Sequence, residues 1–401
     1  MQPSLLAITS ELPWPLDSGG RLRTFHLQAA LSRECDVRLI VPVLDEQRVH
    51  VETLRGHGIT IIPVPVKPRT KLGELQRLIR SRRRGEPYVM YGRHDRDEVR
   101  AAVARELRPG DIVWLDHIDS LIYKPVKNKC VIDLHNIYSL IPERMAKETS
   151  NPLKRLFLHG EARRLTAMER RAMACDTVLA VSSSEAAHFR VLGTQRVIVA
   201  PNGVDCAAFA ALPAGRMDAK PVVLFLGTLN WGPNVSAALH MARVIFPKVL
   251  ATLPEAELWL VGRDPAAEVR ACASTSVIVT GSVPAVLPYL KDAALLAVPL
   301  DAGGGTRLKI LEAFAAGLPV VSTQVGAEGI DAIDGQHLVI AEREAMAAAI
   351  IRLLCDASRG AMLAEQAREL ALRTYDWARI GAIAVEAVHR ESATDASANR
   401  R

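Results

Sequence analysis

Short apolar runs, each the length of a β-strand, alternate with helical stretches along almost the whole of this 401-residue chain. This alternation favours parallel sheets whose two faces are covered by helices. The runs form two series. The first comprises residues 5–10, 36–42, 60–66, 112–117, 130–135, 177–182 and 197–201, and the second comprises residues 222–228, 257–262, 277–281, 295–300, 319–323 and 337–341.

A segment rich in turn residues and without a clear period, residues 201–221, separates the two series. Since 401 residues exceed the usual size of one hydrophobic core, we predict two Rossmann-like domains, over residues 1–205 and 206–375. The two are predicted to face each other across a ligand-binding cleft. Residues 376–391 are predicted to form a helix that returns to the first domain, and the polar residues 392–401 a disordered tail.

The composition argues against several classes of protein. Aromatic residues make up 4% of the chain, too few for a base-stacking surface, so we expect no nucleic-acid partner. The six cysteines are scattered without a CxxC pair or the spacing of a metal site, which is typical of free thiols in a reducing compartment. The sequence shows neither a run of about 18 apolar residues nor a charged leader, so we expect a cytoplasmic protein.

The excess of positive charge, +6 in total, is concentrated in one segment. Residues 67–84 carry eight basic side chains and a single acidic one, Glu74. Apolar side chains recur among them at helical spacing, namely Leu72, Leu75, Leu78 and Ile79. Such a basic amphipathic segment can lie on an anionic lipid surface, which would place the protein peripherally at the inner face of the cell membrane. A solvated helix face beside a loop is the alternative that the sequence leaves open.

The sequence GGGTRLKILEA, from Gly303 to Ala313, predicts a site for a phosphorylated ligand. Three glycines lead directly into a helix, so the backbone can approach a ligand closely and the helix start can bind an anion. Arg307 and Lys309 add positive charge, and Glu312 follows where its carboxylate can hold sugar hydroxyls. The pattern indicates a cradle for a diphosphate sugar. A tight strand-to-helix turn followed by solvated basic residues is the structural alternative.

Two features of the first series point to a second part of the cleft. Gly19 and Gly20, with Arg23 beside them, form a glycine turn at the start of the first helix, which suits a phosphate group or an acceptor. His135 ends a strand at the edge where α/β sheets bind ligands, and His117, also at a strand end, is the rival candidate. A plain turn and a structural histidine are the alternatives.

Taken together, these motifs resemble those of glycosyltransferase family 4, whose members are retaining enzymes with the GT-B fold. The resemblance is carried by the run PLxxGGGTRLKILEAxAxGxPVVSTxxGAEGI over residues 299–330, by GTLNWGPN at 227–234 and by TGSVPAVLPYL at 280–290. It implies that the C-terminal domain binds a nucleoside-diphosphate sugar, most simply a UDP-sugar, and that the N-terminal domain binds the acceptor. It also implies catalysis without a metal ion or cofactor.

The resemblance implies roles for individual residues. The predicted donor-binding residues are Gly303, Gly304, Gly305, Thr306, Glu312, Gly227, Thr228, Asn230 and Val283. Among these, Glu312 would hold the ribose hydroxyls and Val283 would lie beside the nucleobase. The predicted catalytic residues are Lys309 and Arg307, which would stabilise the leaving diphosphate, and His135, which would contact the donor sugar. The predicted acceptor-binding residues are Gly19, Gly20, Arg23 and Asp301.

Two departures from the family pattern matter. Gly304 stands where the family has the first of two glutamates, so the donor sugar stays open. The turn after Leu226 lacks the Arg and Lys that family members often carry there, and Arg307 and Lys309 are the expected substitutes.

We predict transfer with retention by a front-face route, in which an oxygen of the leaving phosphate takes the acceptor proton. The acceptor would be a glycan, a glycolipid or a small hydroxylated molecule. A non-hydrolysing sugar-nucleotide epimerase and a non-catalytic nucleotide-sugar-binding protein are the alternatives. A dinucleotide-dependent dehydrogenase is disfavoured because neither series opens with a GxGxxG motif.

Overall fold

The contacts between residues divide the protein into two units. The computed structural model describes residues 2–194, 196–210, 212, 221–302 and 307–398. Unit 1 comprises Met1–Pro201 and Ile380–Arg401, and unit 2 comprises Asn202–Arg379. The division after Pro201 lies four residues before the boundary that the sequence predicts, within the same turn-rich segment.

Unit 1 is built on a sheet of seven strands. They are β1 (Ser4–Ile8), β2 (Asp36–Val43), β3 (Ile61–Pro65), β4 (Ile112–Asp116), β5 (Cys130–Leu134), β6 (Thr177–Ala180) and β7 (Val197–Val199). All neighbours pair in parallel, in the order β3-β2-β1-β4-β5-β6-β7. The order reverses between β1 and β4, where the loops from the carboxyl ends of the two strands diverge and open a crevice.

Helices cover this sheet on both faces, as the alternating sequence pattern predicts. They are α1 (Gly19–Glu34), α2 (Arg48–Gly56), α3 (Lys71–Arg84), α4 (Asp97–Glu106), α5 (Leu140–Glu148), α6 (Pro152–Ala172) and α7 (Ser183–Leu192), with short 3-10 turns at 45–47, 92–94 and 118–123. Side-chain caps define several helix starts: Ser18 Oγ accepts from the Arg21 N–H at α1, and Thr70 Oγ1 accepts from the Gly73 N–H at α3.

Unit 2 repeats this architecture with six strands. They are β8 (Val222–Leu226), β9 (Glu257–Val261), β10 (Val277–Val279), β11 (Leu295–Val298), β12 (Val320–Ser322) and β13 (Val339–Ile340). The strands pair in parallel in the order β10-β9-β8-β11-β12-β13, so the order reverses between β8 and β11. Each of the predicted apolar runs of both series corresponds to one of these thirteen strands.

The helices of unit 2 follow the same alternation. They are α8 (Cys206–Phe209), α9 (Gly232–His240), α10 (Phe246–Thr252), α11 (Ala267–Arg270), α12 (Leu287–Asp292), α13 (Leu308–Ala316), α14 (Arg343–Cys355) and α15 (Ala357–Leu370). Two single π-helical turns interrupt the series, one at Met241–Ile245 between α9 and α10, and one at Ala371–Tyr375 after α15.

One helical stretch of unit 2 is long and apolar enough to cross a membrane by length and composition. It runs from Gly232 to Thr252 and has a mean hydropathy of 1.2. It nevertheless connects β8 to β9, two parallel neighbours in one sheet, and so forms the crossover that such a pair requires. Its residues Met241, Phe246 and Val249 are buried in the core of unit 2. We therefore interpret it as a core helix.

The last helix, α16 (Trp377–Ala398), belongs to unit 1 from Ile380 onward. Its Glu391 Oε1 accepts a 2.7 Å hydrogen bond from Thr177 Oγ1, and a Cβ on Gly381 would come within 2.5 Å of the Ala30 Cβ, so this glycine lets α16 pack closely on α1. The sequence predicts a disordered tail from residue 392, but the helix continues to Ala398. Ala393, Ala396 and Ala398 in this segment favour helix.

Candidate functional site

In unit 2, the side chain of Lys309 reaches the turn that follows β8. Lys309 lies in the first turn of α13, which follows β11, the strand on the other side of the sheet reversal. Its Nζ donates a 3.3 Å hydrogen bond to Asn234 Oδ1 and lies 4.8 Å from the centre of the Phe225 ring. A Cβ on Gly227 would come within 3.0 Å of Nζ. The ammonium group is thus held against a glycine at the crevice where open sheets bind ligands.

The surroundings of Lys309 disfavour its charge. Burial lowers the pKa of Lys309 from 10.5 to about 7, and the positive charge of Arg307 lowers it as well. Burial also raises the pKa of Glu312, one turn further along α13, from 4.5 to about 7, against the opposing effect of Lys309. An anion beside the ammonium would restore the pKa of Lys309, and the side chain is therefore suited to bind one.

Further contacts keep the turn after β8 narrow. A Cβ on Gly262, which follows β9, would come within 1.6 Å of the Gly227 carbonyl oxygen, so only glycine fits there. Asn234 Nδ2 donates a 3.0 Å hydrogen bond to the Thr228 carbonyl, and Arg263 Nε donates one of 3.3 Å to Thr228 Oγ1. These contacts hold Gly227 and Thr228 in one shape beside Lys309.

The other predicted site residues of unit 2 differ from one another in burial and in contacts. Asn230 is exposed, and Val283 is partly buried against the core of the unit. Arg307 is buried at the residue before α13. Asp301 forms a 2.5 Å ion pair with Arg343 Nη1, so a polar contact within unit 2 already uses this carboxylate, which we had predicted to bind the acceptor.

Four predicted donor-binding residues, Gly303, Gly304, Gly305 and Thr306, lie outside the described residues. The part of the glycine-rich motif that the structure describes begins at Arg307. Among the described residues, Gly227, Lys309 and Glu312 form the candidate donor site.

In unit 1, a buried polar cluster lies at the carboxyl ends of β4 and β5. Asp116 is the last residue of β4, and its Oδ2 accepts hydrogen bonds from Thr9 Oγ1 (2.9 Å) and Thr24 Oγ1 (2.8 Å). His135 directly follows β5, and its Nε2 lies 3.0 Å from Asp133 Oδ2 and 3.3 Å from Asp116 Oδ1. Because β1 and β4 flank the sheet reversal, the cluster lies at the ligand-binding crevice of this unit.

Arg23 is placed differently from the prediction. We expected it to bind the acceptor, but its side chain is fully buried and its Nη2 lies 2.6 Å from Asp133 Oδ1. Its Nε lies 2.9 Å from the second oxygen of the same carboxylate, and its Nη1 donates to the Pro201 carbonyl at 2.9 Å. A guanidinium enclosed in this way holds Asp133 in place. Its burial disfavours the predicted contact of Arg23 with an acceptor, which stays a prediction.

His117 and His135, which the sequence presents as rivals, lie together. Their ring centres are 3.7 Å apart with 40° between the planes. His117 has a φ of +65°, in the left-handed region that residues other than glycine seldom adopt, and its Nδ1 lies 3.3 Å from the Tyr138 hydroxyl. A Cβ on Gly20 would come within 3.3 Å of the His117 ring and 3.9 Å of His135 Nδ1. Gly20 therefore lets the start of α1 approach both imidazoles. Gly19 is the first residue of that helix.

The pKa values of the two imidazoles are shifted in opposite directions. Burial lowers the pKa of His117 to about 4, and the positive charge of His135 lowers it as well. Burial also disfavours the charged form of His135, but the Asp133 charge and the hydrogen bonds to Asp116 and Asp133 outweigh burial and raise its pKa to about 9. Asp119, on the 3-10 turn after β4, has a pKa raised by burial to about 7.

Ligand atoms of Asp116, His117 and His135 lie within 4.8 Å of one another, a separation that a metal ion could bridge. Charge balance argues for another interpretation. The buried carboxylates of Asp116 and Asp133 are already matched by the Arg23 guanidinium and a protonated His135. We therefore treat the cluster as a hydrogen-bonded ion network. The expectation of catalysis without a metal stays a prediction.

Asp133 and Asn234 contact predicted site residues but are not among the residues that the sequence singles out. Asp133 could have been found, because residues two apart on a strand point to the same face and Asp133 precedes His135 by two. Asn234 carries no comparable signal, since its role depends on Lys309, which lies 75 residues further along the chain.

Comparison with known proteins supports the fold and links unit 2 to a family. Residues 220–356 match the model of the family described as glycosyl transferases group 1. A phosphatidyl-myo-inositol mannosyltransferase of Mycolicibacterium smegmatis is 31% identical over 210 residues, which cover 48% of this chain and 51% of that protein. The match thus spans about half the length of this curated relative.

Solved structures with the same architecture cover nearly the whole chain. HepE from Anabaena, solved in complex with UDP and glucose, has a TM-score of 0.66 and 17% identity over 97% of this chain and all of the other. Sucrose-phosphate synthase from Thermosynechococcus elongatus has a TM-score of 0.69 and 17% identity over 98% of this chain and all of the other. At these identities the similarity shows the fold, and the predicted GT-B class of two parallel-sheet α/β domains is confirmed.

Proposed function

We propose that the protein is a glycosyltransferase that moves a sugar from a nucleoside diphosphate to an acceptor hydroxyl. The observation that carries this proposal is the ammonium group of Lys309, held half-buried against Gly227 at the sheet reversal of unit 2. This place lies within the residues that match the glycosyl transferases group 1 model. The solved structure of HepE contains UDP and glucose, so we propose UDP as the nucleotide.

The charges around α13 suit the parts of such a donor. Lys309 would bind the diphosphate, since a charge-assisted hydrogen bond to a phosphate is stronger than one between neutral groups. Glu312, one turn away on the same helix, would accept hydrogen bonds from the ribose hydroxyls in its ionised form. The turn after β8 lacks the cations that the resemblance leads us to expect, and Lys309 reaches this turn from α13. The contact supports the expectation that Lys309 replaces them.

We propose that transfer proceeds with retention and without a metal ion. Lys309 and Arg307 would stabilise the negative charge that develops on the leaving diphosphate, and His135 would contact the donor sugar. An oxygen of the leaving phosphate would then take the proton of the attacking hydroxyl. Gly19 and Gly20, at the start of α1, would line the acceptor side. The buried carboxylates of unit 1 serve the ion network around His135 and are not proposed as nucleophiles.

Transfer assays with a panel of UDP- and GDP-sugars test this function. We expect turnover of a UDP-sugar in the presence of EDTA, with a product that has the anomeric configuration of the donor by proton NMR. Interconversion of a UDP-sugar without an acceptor would instead identify an epimerase. Tight UDP binding without transfer to any of the lipid, glycan or small-molecule acceptors would identify a binding protein, and an inverted product would contradict the retaining route.

The surface of α3 supports a lipid-linked acceptor at an anionic membrane. Leu72, Leu75 and Ile79 are 67%, 52% and 44% exposed, and their spacing of three and four residues places them on one face of the helix. Basic residues flank this face along α3, and the guanidinium of Arg82 lies 4.9 Å from the Phe157 ring of α6. Such a face suits insertion of apolar side chains between anionic headgroups. The curated relative, by its name, acts on a phosphatidylinositol lipid.

Replacing Leu72, Leu75 and Ile79 together by serine should lower binding to vesicles that contain phosphatidylglycerol by about tenfold or more, because the apolar contact area is lost. Co-sedimentation with these vesicles and with vesicles of phosphatidylcholine alone measures the effect. The matched control replaces Val126 and Val191, exposed apolar residues outside α3, and should bind as the natural protein does. Equal binding of all proteins to both kinds of vesicle would contradict the proposed membrane contact.

A further inference from the structure

Two fully buried residues connect the interior of unit 1 to His135. The Arg23 guanidinium contacts both oxygens of Asp133, at 2.6 Å through Nη2 and at 2.9 Å through Nε. Asp133 Oδ2 in turn lies 3.0 Å from His135 Nε2. Neither Arg23 nor Asp133 has any side-chain surface exposed, so neither can contact a ligand directly, and Asp133 connects the pair to His135.

The other neighbours of His135 surround its ring unequally, with carboxylates at one edge and a second imidazole against its face. Asp116, from β4, places a second carboxylate oxygen 3.3 Å from the same Nε2. His117 stacks on the ring, and two cationic imidazoles with centres 3.7 Å apart would repel each other. The Tyr138 hydroxyl contacts His117 Nδ1, and Asp119 adds a buried carboxyl on the 3-10 turn after β4. Two carboxylates thus face one edge of His135, while its stacked neighbour stays neutral.

We propose that Asp133 and Arg23 are positioning residues that hold the His135 imidazole in its doubly protonated form. His135 then acts as a fixed, positively charged hydrogen-bond donor and not as a general base. Its Nε2–H is directed at the two carboxylates, and its Nδ1 faces Gly20 at the start of α1, where a Cβ would come within 3.9 Å. The ligand class that this group recognises is an electronegative oxygen, such as a sugar hydroxyl or a phosphate oxygen.

The direction of the pKa of His135 agrees with this geometry. A histidine whose pKa is raised to about 9 stays charged at neutral pH and loses its proton only as the pH rises through that value. The attacking hydroxyl must then give its proton to another group, as the front-face route requires. This inference rests on the proposed function for its catalytic meaning, whereas the protonation state can be measured whether or not the protein transfers a sugar.

NMR of protein labelled with 15N-histidine tests the inference directly. The His135 signals, identified with a His135→Gln variant, should be those of an imidazolium at pH 7, and those of His117 should be those of a neutral ring. A neutral His135 at pH 7 would overturn the proposal, and the protonation state itself is measured on the natural protein. Sugar transfer with a neutral His135 would reject only this inference, and an imidazolium without any transfer would reject only the function.

The variant Asp133→Asn keeps the shape of the side chain and removes its charge. At saturating donor we expect kcat of this variant to fall about tenfold between pH 6.5 and pH 8.5, because the charged fraction of an imidazole falls tenfold for each pH unit above its pKa, whereas kcat of the natural protein should change little. Glu169→Gln is the matched control, because Glu169 is also buried and its Oε2 lies 3.7 Å from His188 Nε2. Identical pH profiles for the Asp133 and Glu169 variants would also overturn the proposal.

Discussion

Replacing Lys309 by methionine is expected to weaken UDP binding by about 10- to 100-fold. Methionine fills a similar volume but has no charge, and a hydrogen bond to a charged group contributes about 1.5–3 kcal/mol. The loss should be this large because the ammonium is held half-buried against Gly227, where water compensates poorly for a missing contact. Titration calorimetry with UDP measures the change. The matched control is Lys291→Met. Lys291 lies on α12 with its side chain exposed, and this variant should bind UDP as the natural protein does.

The same lysine predicts how binding depends on pH. Its pKa of about 7 in the free protein should rise when a diphosphate lies beside it, so binding takes up a proton above that pH. The affinity for UDP-glucose, whose diphosphate does not titrate in this range, should therefore fall as the pH rises from 7 to 9. Below pH 7 it should fall for a different reason, because Glu312 then takes up a proton and can no longer accept hydrogen bonds at both carboxylate oxygens. The Lys309→Met variant should lose this dependence. An affinity that is independent of pH in the natural protein would place the diphosphate elsewhere.

The sequence predicts the strands well for a physical reason. In a parallel sheet covered on both faces, nearly every strand residue is buried, so strands appear as continuous apolar runs that need no knowledge of their neighbours. The order of the strands in each sheet cannot be predicted in this way. Which carboxyl ends lie next to each other depends on pairing between distant segments, and it is this order that brings α13 beside the turn after β8.

In the candidate site, too, local sequence pattern predicts individual residues but not the contacts between distant segments. Gly227, Lys309 and Glu312 can be singled out from local pattern, but the contact of Lys309 with the Gly227 turn joins two motifs about 80 residues apart. For Arg23, the local sequence pattern suggests a different role from the contacts that the structure shows. Next to a glycine turn at a helix start it fits an anion site, and its partner Asp133 lies 110 residues away, inside an apolar run, so a local pattern could not predict the buried pair.

Removing Arg23, one of the two buried cationic partners of Asp133, should destabilise unit 1 strongly. Arg23→Leu leaves a carboxylate without its guanidinium in a place closed to water, and breaking such a pair costs about 3–5 kcal/mol. Hydrogen–deuterium exchange of peptides from β4 and β5, compared with peptides from β8, measures the change separately in each unit. Arg21→Leu is the matched control two residues away: Arg21 pairs with Glu11 and Asp17 at the surface, where such contacts contribute less than about 1 kcal/mol.

The loss of stability in Arg23→Leu has two possible causes, the buried Asp133 charge left without Arg23 and a change of packing. Its dependence on pH distinguishes between them. Burial raises the pKa of Asp133, but the Arg23 charge outweighs burial and lowers it in the folded protein. Without Arg23 burial should raise this pKa, so the variant should take up a proton and regain stability as the pH falls from neutral. The ion pair of the natural protein keeps its contribution until the pH falls below about 3.9, the pKa of Asp in an unfolded chain. The difference in stability between the natural protein and Arg23→Leu should therefore shrink between pH 7 and pH 5. The double variant Arg23→Leu/Asp133→Leu, which removes both charges, should recover part of the loss at pH 7. If the double variant were as unstable as the single one at both pH values, lost packing and not the unpaired carboxylate would be the cause.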